Sequence, residues 1–374
     1  MIDYIKNNHI TESQMYYTRR CNSRCGACNL PFSGEKLKEL NKEQWIIVMK
    51  NLQRLDIKTV KLMGGEPTEQ KDLTDLLDLI SFTKNNTDIR LALLSNSKWD
   101  KAKWFDKICT SGLYGYYASV DTINEEALCY DTLEKSQKGY KMLLDLKEYS
   151  DIPILAANVV ISKKNYKNLP SLIKLLSNKD LYVNLCPLQC YINAPSYNQK
   201  PVEYHFRKNK NPNMLTKEDL PELEKVLQEI IKLKQHGAKV AVPSQYILDI
   251  PKYGLYGGTW QCSMFSQLRV DSDGTIMICN EFRGDKKDLP NLSYNIEDIE
   301  KWNKDFIDYW YTERPKYNCS CYWSCFLQAE NNIKIGSTEF GFYENPLLHE
   351  IGTDINSSLS SRDTHKSIKC DIST

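Results

Sequence analysis

Short apolar runs alternate with longer amphipathic stretches along residues 14–190. The apolar runs predict six β-strands, at Gln14–Thr18, Ile57–Leu62, Arg90–Leu94, Gly115–Val120, Ile152–Val160 and Leu181–Cys186. The amphipathic stretches predict helices at about 42–54, 72–82, 99–109, 125–148 and 166–176. Parallel neighbours need such crossover connections, so the repeated unit predicts a parallel α/β sheet. Six units are too few for a closed eightfold barrel, and we expect an open, partial (β/α)6 barrel over residues 1–215.

Beyond this region the pattern predicts smaller elements. A helix begins near Thr216, with Asp219 three residues on as its capping partner. Two short apolar runs flank the turn residues Asp271–Gly274, which predicts a hairpin, and an amphipathic helix follows it near 296–310. We therefore expect a linking helix and strand at 216–260, a small hairpin and helix domain at 261–345 and a mobile tail at 346–374.

Composition narrows the function. The chain has 374 residues, and its net charge of +1 gives no global attraction to nucleic acid or to an anionic membrane. The sequence has no apolar run of membrane-spanning length and no secretory signal at its start, so we expect a cytoplasmic protein. Thiols stay reduced in the cytosol, so the 13 grouped cysteines indicate metal or cluster binding rather than disulfides.

Three cysteines follow the first predicted strand. Cys21, Cys25 and Cys28 have the spacing C-x3-C-x2-C, and three thiolates can hold three irons of a [4Fe–4S] cluster while the fourth iron stays open to a ligand. Zinc sites more often have four ligands in two pairs. The next strand is followed by Gly64–Pro67 (GGEP), where paired glycines permit close approach to the backbone and a glutamate can accept hydrogen bonds from an ammonium group.

Together these two motifs resemble the radical SAM superfamily, and the resemblance covers residues 14–190 in motif and element order. It implies a [4Fe–4S] cluster on the cysteine triplet, with S-adenosylmethionine on the open iron and its methionyl amine at the GGEP turn. It also implies cofactor contacts, and the residues it assigns to the cofactor are Gly64, Gly65, Glu66, Pro67, Ser95, Asn96, Ser119, Asp121, Asn158 and Leu188. The alternatives are ordinary strand-end and helix-cap roles for the polar residues, and a structural zinc knuckle beside a glycine turn for the motifs.

A second group of cysteines lies in the C-terminal third. Its members are Cys262, Cys279, Cys319, Cys321 and Cys325. The group resembles the SPASM and twitch extensions of radical SAM enzymes, although only part of the SPASM cysteine pattern is present. The resemblance implies one auxiliary [4Fe–4S] cluster on the first two and last two of these cysteines, with Cys319 as an alternate ligand. A four-cysteine structural zinc is the other interpretation.

The resemblance implies an enzyme, of oxidoreductase type, that reductively cleaves S-adenosylmethionine to a 5′-deoxyadenosyl radical. The radical would take a hydrogen atom from a peptide or a small polar metabolite, in an oxidation, an epimerisation or a cross-linking. A flavodoxin or ferredoxin would supply the electron. Cys186, after the last strand, is a candidate hydrogen-atom donor, and a packed thiol is its ordinary alternative. The alternative function is that of a non-catalytic zinc or iron–sulfur interaction protein.

Overall fold

The computed structural model describes most of the predicted barrel and parts of the C-terminal third. The described residues are 5, 10–23, 25, 39–69, 73–123, 132–188, 212–256, 258, 260, 262, 264–277, 289–294, 303–313, 322, 324 and 327. Several predictions therefore lie outside the described residues. They are the ligand roles of Cys28, Cys279, Cys319, Cys321 and Cys325 and the tail at 346–374.

Seven strands and nine α-helices are formed within the described ranges. The strands are β1 (Glu12–Thr18), β2 (Thr59–Gly64), β3 (Arg90–Ser95), β4 (Gly115–Ser119), β5 (Ile154–Ile161), β6 (Tyr182–Pro187) and β7 (Leu268–Val270). The helices are α1 (Lys42–Arg54), α2 (Leu73–Asn86), α3 (Lys101–Cys109), α4 (Thr132–Tyr149), α5 (Leu169–Ser177), α6 (Leu220–Gln235), α7 (Ser244–Leu248), α8 (Ile250–Tyr253) and α9 (Asn303–Glu313). The six predicted strands all appear, each shifted by two residues or fewer at either end.

The strands form one open parallel sheet in the order β6-β5-β4-β3-β2-β1-β7. The first six follow chain order, because each crossover helix returns the chain to the next position along the sheet. The α/β class and the open, partial barrel are thus confirmed. All carboxyl ends of the parallel strands lie along one edge. Predicted site residues lie at or just after the ends of β1 to β4 and of β6, and Asn158 lies within β5.

Local sequence fixes the ends of the helices. The Asn41 side chain accepts from the Gln44 amide at 2.9 Å, and the Gln44 side chain accepts from the Asn41 amide at 3.1 Å, so α1 begins with a capping box. The predicted pair of Thr216 and Asp219 also forms a capping box, with the Thr216 amide donating to Asp219 Oδ2 at 2.7 Å, but the box opens the 3₁₀ turn Lys217–Asp219 that leads into α6. Gly237 follows that helix with φ of +93°, a left-handed conformation that ends helices.

The two faces of the sheet differ in polarity. One face packs on the helices through a single large apolar core, in which Met15, Val60, Leu62 and Leu93 are buried. Side chains alternate between faces along a strand, so the next residues of each strand line the inside of the partial barrel. In β6, Asn184 is half-buried on that inner face, as are its neighbours two residues away. The interior is therefore the polar side on which a ligand can be held.

The predicted hairpin forms, and its first strand joins the main sheet. The Asp271 amide donates to the Thr275 carbonyl at 2.8 Å, and the Met277 amide donates to the Arg269 carbonyl at 2.7 Å. The strand β7 also pairs in parallel with residues 13–15 of β1. The sequence predicts the hairpin, whereas its place as a seventh strand beside β1 is a finding of the structure. The domain boundaries at 215, 260 and 345 stay predictions.

None of the helices in the described part of the chain combines the length and the apolar character that a bilayer crossing requires.

Candidate functional site

A cavity of about 180 Å³ opens at the carboxyl edge of the sheet, between the ends of β2, β3, β4 and β5. The side chains and backbone around it come from the cysteine segment, from the glycine turn and from successive strand ends. The lining residues are Cys21, Ser23, Cys25, Met63, Gly64, Gly65, Glu66, Leu94, Ser95, Asn96, Ser119, Lys135 and Asn158. Most of the residues that the sequence assigns to a cofactor are thus brought together around one space.

The glycine turn lies directly against the chain that leads to the cysteines. The Gly65 amide donates to the Thr18 carbonyl at 2.8 Å, and the Glu66 amide donates to the Arg20 carbonyl at 2.7 Å. A Cβ on Gly64 would lie 2.2 Å from the Thr18 oxygen, and one on Gly65 would lie 1.9 Å from the Arg20 oxygen. Both glycines are therefore required by backbone packing, in addition to any approach of a ligand.

Cys21 and Cys25 are half-buried, are in no disulfide and line the same cavity. The Ser23 amide donates to Cys21 Sγ at 3.4 Å. Hydrogen bonds to a ligating sulfur are one of the factors that set the reduction potential of an iron–sulfur cluster. Thiolate donors suit iron–sulfur clusters and zinc better than they suit hard cations. The described donors therefore fit a [4Fe–4S] cluster, and the third predicted ligand, Cys28, lies outside the described residues.

Glu66 is almost fully buried in the wall of the site, with 1% of its surface exposed. Its Oε1 accepts from Ser95 Oγ and from Thr68 Oγ1, both at 2.8 Å, and its Oε2 accepts from the Asn96 amide at 2.6 Å. Burial raises the pKa of this carboxyl, and the hydrogen bonds that it accepts lower the pKa in part. The carboxylate thus joins the ends of β2 and β3 and fixes the wall of the cavity.

Asn96 joins the same wall to the cysteine segment. Its Nδ2 donates to Asn22 Oδ1 at 2.7 Å and lies 3.3 Å from Ser23 Oγ. The next residue, Ser97, is buried with φ of 59°, a left-handed conformation that is uncommon outside glycine. Its hydroxyl lies 2.9 Å from the Tyr116 hydroxyl, and burial raises the pKa of Tyr116 to about 12. The neutral phenol of Tyr116 therefore supports the turn after β3 through its contact with Ser97.

Lys135 brings a positive charge to the cavity. It lies near the start of α4, has 8% of its surface exposed and places Nζ 3.3 Å from Asp121 Oδ2. Asp121 also accepts from the Val160 amide at 2.8 Å, so this predicted cofactor residue supports the cavity wall from behind. Because a lysine ammonium has three donors, Lys135 can hold Asp121 and an anionic ligand group together.

A row of polar side chains continues the cavity across the sheet. Ser119 is in register with Asn158, which is in register with Asn184 on β6. Asn184 Nδ2 donates to Asn158 Oδ1 at 2.9 Å. Cys186 lies two residues further along the same face of β6 and outside the set of lining residues described above. Its role as a hydrogen-atom donor stays a prediction.

Two more predicted residues lie beside the cavity rather than around it. Pro67 is buried and opens the 3₁₀ turn Pro67–Glu69. Leu188 is buried against Met214, and its amide donates to the Ile161 carbonyl at 2.8 Å. Their cofactor contacts stay predictions.

Sequence reasoning missed four side chains that build this site, namely Ser23, Thr68, Tyr116 and Lys135. No spacing rule marks them. Thr68 bonds to Glu66 only two residues away. Ser23, Tyr116 and Lys135 contact residues that are distant in the sequence. Only the position of Lys135 early in the helix that follows β4 was a usable signal, since such helices begin at the carboxyl edge.

Residues 15–152 match the Radical SAM superfamily model. The chain is 24% identical over 274 residues to a "Probable GTP 3',8-cyclase" of Saccharolobus islandicus. The aligned region covers 70% of this chain and 80% of that protein. It is 26% identical over 169 residues to the PqqA peptide cyclase of Bradyrhizobium diazoefficiens. This aligned region covers 44% of this chain and only 42% of that protein.

Two solved structures share the fold. Streptococcus suis SuiB bound to S-adenosylmethionine has a TM-score of 0.58 at 17% identity, over 81% of this chain and 69% of SuiB. Native anSMEcpe with bound AdoMet and Cp18Cys peptide has a TM-score of 0.54 at 15% identity, over 92% of this chain and 99% of that one. The matched model, the open parallel sheet and the cavity shared by cysteines and glycine turn agree: this chain carries a domain of the radical SAM superfamily over residues 15–152.

Proposed function

We propose that this chain reductively cleaves S-adenosylmethionine and directs the resulting 5′-deoxyadenosyl radical at a carbon–hydrogen bond of a peptide. One electron enters the sulfonium, the carbon–sulfur bond breaks, and methionine and the radical are the products. The observation that carries the proposal is the shared cavity, since Cys21, Cys25 and the turn Gly64–Glu66 line one space. The chemistry of the cluster belongs to the cofactor, and the protein supplies position and a confined environment.

In this proposal, different residues of the cavity bind different polar groups of the cofactor. Glu66 adds negative charge beside the turn at which we place the methionyl ammonium, and Lys135 supplies a cation for the carboxylate. The row from Ser119 to Asn158 has the hydroxyl and amide groups that a ribose would need. The sequence already assigns Glu66, Ser119 and Asn158 to the cofactor, whereas the ribose contact of Ser119 and the role of Lys135 are proposed from the lining of the cavity.

Peptide is the substrate class that the relatives support best. One relative is named a PqqA peptide cyclase, and one structural neighbour holds a Cp18Cys peptide. A small polar metabolite is the second candidate, because the relative named as a GTP 3',8-cyclase aligns over 80% of its own length. Formation of 5′-deoxyadenosine by the reduced protein, measured with added peptide libraries and with added nucleotides, separates the two classes.

The proposal is tested by purifying the full chain without oxygen, measuring iron and sulfide, and adding dithionite and S-adenosylmethionine. We expect a brown protein that releases 5′-deoxyadenosine. A colourless protein that carries zinc after reconstitution would instead support the non-catalytic interaction protein. No such measurement depends on knowing the substrate.

Lys135 gives a prediction about cofactor affinity. Lys135→Met removes a charged hydrogen-bond donor from the cavity, and such a bond contributes roughly 1.5–3 kcal/mol. We expect the Kd for S-adenosylmethionine to rise at least about tenfold, measured by equilibrium binding to the cluster-loaded protein. The matched control is Lys138→Met on the same helix, whose ammonium is half exposed and pairs with Glu134. Equal affinities in the two variants would remove Lys135 from the site.

We also propose an auxiliary [4Fe–4S] cluster on the second cysteine group. Of its members, Cys262 is described, half-buried and packed against the core. Ser324, between Cys321 and Cys325, lies 3.5 Å from Asn184 Oδ1, and Tyr322 stacks on Tyr246 at 4.5 Å. Ser324 thus contacts Asn184 on the inner face of the barrel, close to where we place the substrate.

Cys262→Ala tests that assignment. We expect the iron content to fall by one cluster and 5′-deoxyadenosine release to stay within about threefold of wild type, whereas substrate turnover falls at least about tenfold, as after loss of a cluster-supporting contact. Iron analysis, product release and turnover are measured on one preparation. Normal turnover with full iron would show that Cys262 binds no cluster.

A further inference from the structure

Arg19 and Asp271 form a buried ion pair across the sheet. Arg19 Nε donates to Asp271 Oδ1 at 2.9 Å, and Nη2 of the same guanidinium contacts Oδ2. The side chains are 6% and 0% exposed. Two parallel bonds between a guanidinium and a carboxylate fix orientation as well as distance.

Arg19 lies at the base of the segment that carries the first cysteine triplet. It follows β1 directly and precedes Cys21 by two residues. Its amide donates to Glu39 Oε1 at 3.1 Å, and Thr18 Oγ1 donates to the same oxygen at 2.6 Å. The two ends of the segment are therefore joined at Glu39.

Asp271 lies in the turn of the hairpin that separates Cys262 from Cys279 in the sequence. Its Oδ1 accepts from the Ser272 amide at 2.7 Å, so the carboxylate is oriented by its own turn. The Ser272 carbonyl accepts from the Leu40 amide at 2.9 Å. The turn thus contacts both ends of the cysteine segment, one through Asp271 and the other through Ser272.

We propose that Asp271 is a positioning residue for the first cluster site and acts through Arg19. This inference rests on the proposed function, since it assumes that the cysteine triplet holds a cluster. The hairpin between Cys262 and Cys279 and the base of the first cysteine segment are then one mechanical and electrostatic unit. A change of charge at Asp271 should therefore alter the first site, although Asp271 is not among the residues described as lining the cavity.

The sign of the charge separates this role from general stabilisation. Asp271→Asn removes the negative charge of the pair, so its net charge rises by one, which should raise the reduction potential of the first cluster. Arg19→Gln removes the positive charge, which should lower the potential, and the double variant should return it close to wild type. The potential is followed by redox titration of the paramagnetic signal that changes when S-adenosylmethionine is added, which identifies the first cluster. A loss of fold would move both single variants in the same direction.

Hydrogen exchange gives a second measurement that needs no cluster. In cluster-free protein, amides of residues 19–23 should exchange roughly tenfold faster or more in Asp271→Asn than in wild type, because the base of the segment opens locally. The matched control is Glu12→Gln, which removes a carboxylate from another buried pair, with Lys61, at the opposite end of β1.

The outcomes are separable. If the loaded protein cleaves S-adenosylmethionine but the single variants keep the wild-type potential and exchange rates, the positioning role is wrong and the proposed function stands. If the wild-type chain binds no cluster, the proposed function fails. The exchange rates then still decide whether Asp271 holds the segment, since equal rates in the Asp271 and Glu12 variants would overturn it.

Discussion

Cys25→Ala is expected to abolish release of 5′-deoxyadenosine, with a loss of at least about 100-fold, beyond the usual cost of removing an outer partner of a metal ligand. Cys25 lines the cavity with Cys21 and the glycine turn, so its thiolate would hold one iron of the first cluster. Iron content should fall by one cluster while the fold is kept. The measurements are iron and sulfide per chain, and product release after anaerobic reconstitution and reduction.

Cys109→Ala is the matched control for this variant. Cys109 is also a half-buried thiol, but it ends α3 and lies near the starts of β3 and β4, on the opposite edge of the sheet. We expect its iron content and product release to equal those of wild type. If Cys25→Ala kept full product release, the triplet would not be the site of cleavage and the proposed function would fail.

Gly65→Ala is expected to displace the cysteine segment and to destabilise the protein by about 3 kcal/mol, the upper end of the cost of overpacking. An added Cβ would lie 1.9 Å from the Arg20 carbonyl oxygen and 2.5 Å from the Arg20 carbonyl carbon. Both are backbone atoms, so no side-chain rotation can relieve the contact. The hydrogen bond from the Glu66 amide to Arg20 would be lost together with the register of Cys21. Denaturant unfolding and iron per chain measure the two effects.

Gly237→Ala separates this clash from the general cost of replacing glycine. Gly237 ends α6 with φ of +93°, and an added Cβ there would meet no atom within 4 Å. The left-handed conformation alone should cost about 1–2 kcal/mol. We expect this variant to load iron as wild type does, whereas Gly65→Ala should not. Full iron and unchanged stability in Gly65→Ala would show that the turn and the cysteine segment do not pack as described.

The sequence predicted those features that depend on neighbours in the chain. The span of α1 agrees with its prediction at both ends, and Thr216 and Asp219 form a capping box at the 3₁₀ turn that leads into α6. Periodicity located the strands, and strand-end placement located Ser95, Asn96, Ser119 and Asn158, since every parallel strand ends at the same edge.

Features set by distant contacts could not be predicted in this way. The three residues of β7 carry too little pattern to choose a partner, and their pairing with β1 joins segments more than 250 residues apart. The need for glycine at position 65 was also predicted only in part, because the Arg20 carbonyl that excludes a side chain there is brought close only by the fold. Asp121 follows its strand as predicted, yet its carboxylate turns to Val160 and Lys135, behind the cavity.

The place of β7 at the edge of the sheet bears on how the protein is synthesised. Until residues 268–270 leave the ribosome, the edge of β1 that β7 covers has no partner from the hairpin. The base of the first cysteine segment likewise waits for Asp271 before its ion pair can form. The N-terminal cysteines are thus made early and their surroundings are completed late, so iron that arrives during translation meets an unfinished pocket. Delivery of a cluster only after residues 268–271 have emerged is the order of events that this topology favours.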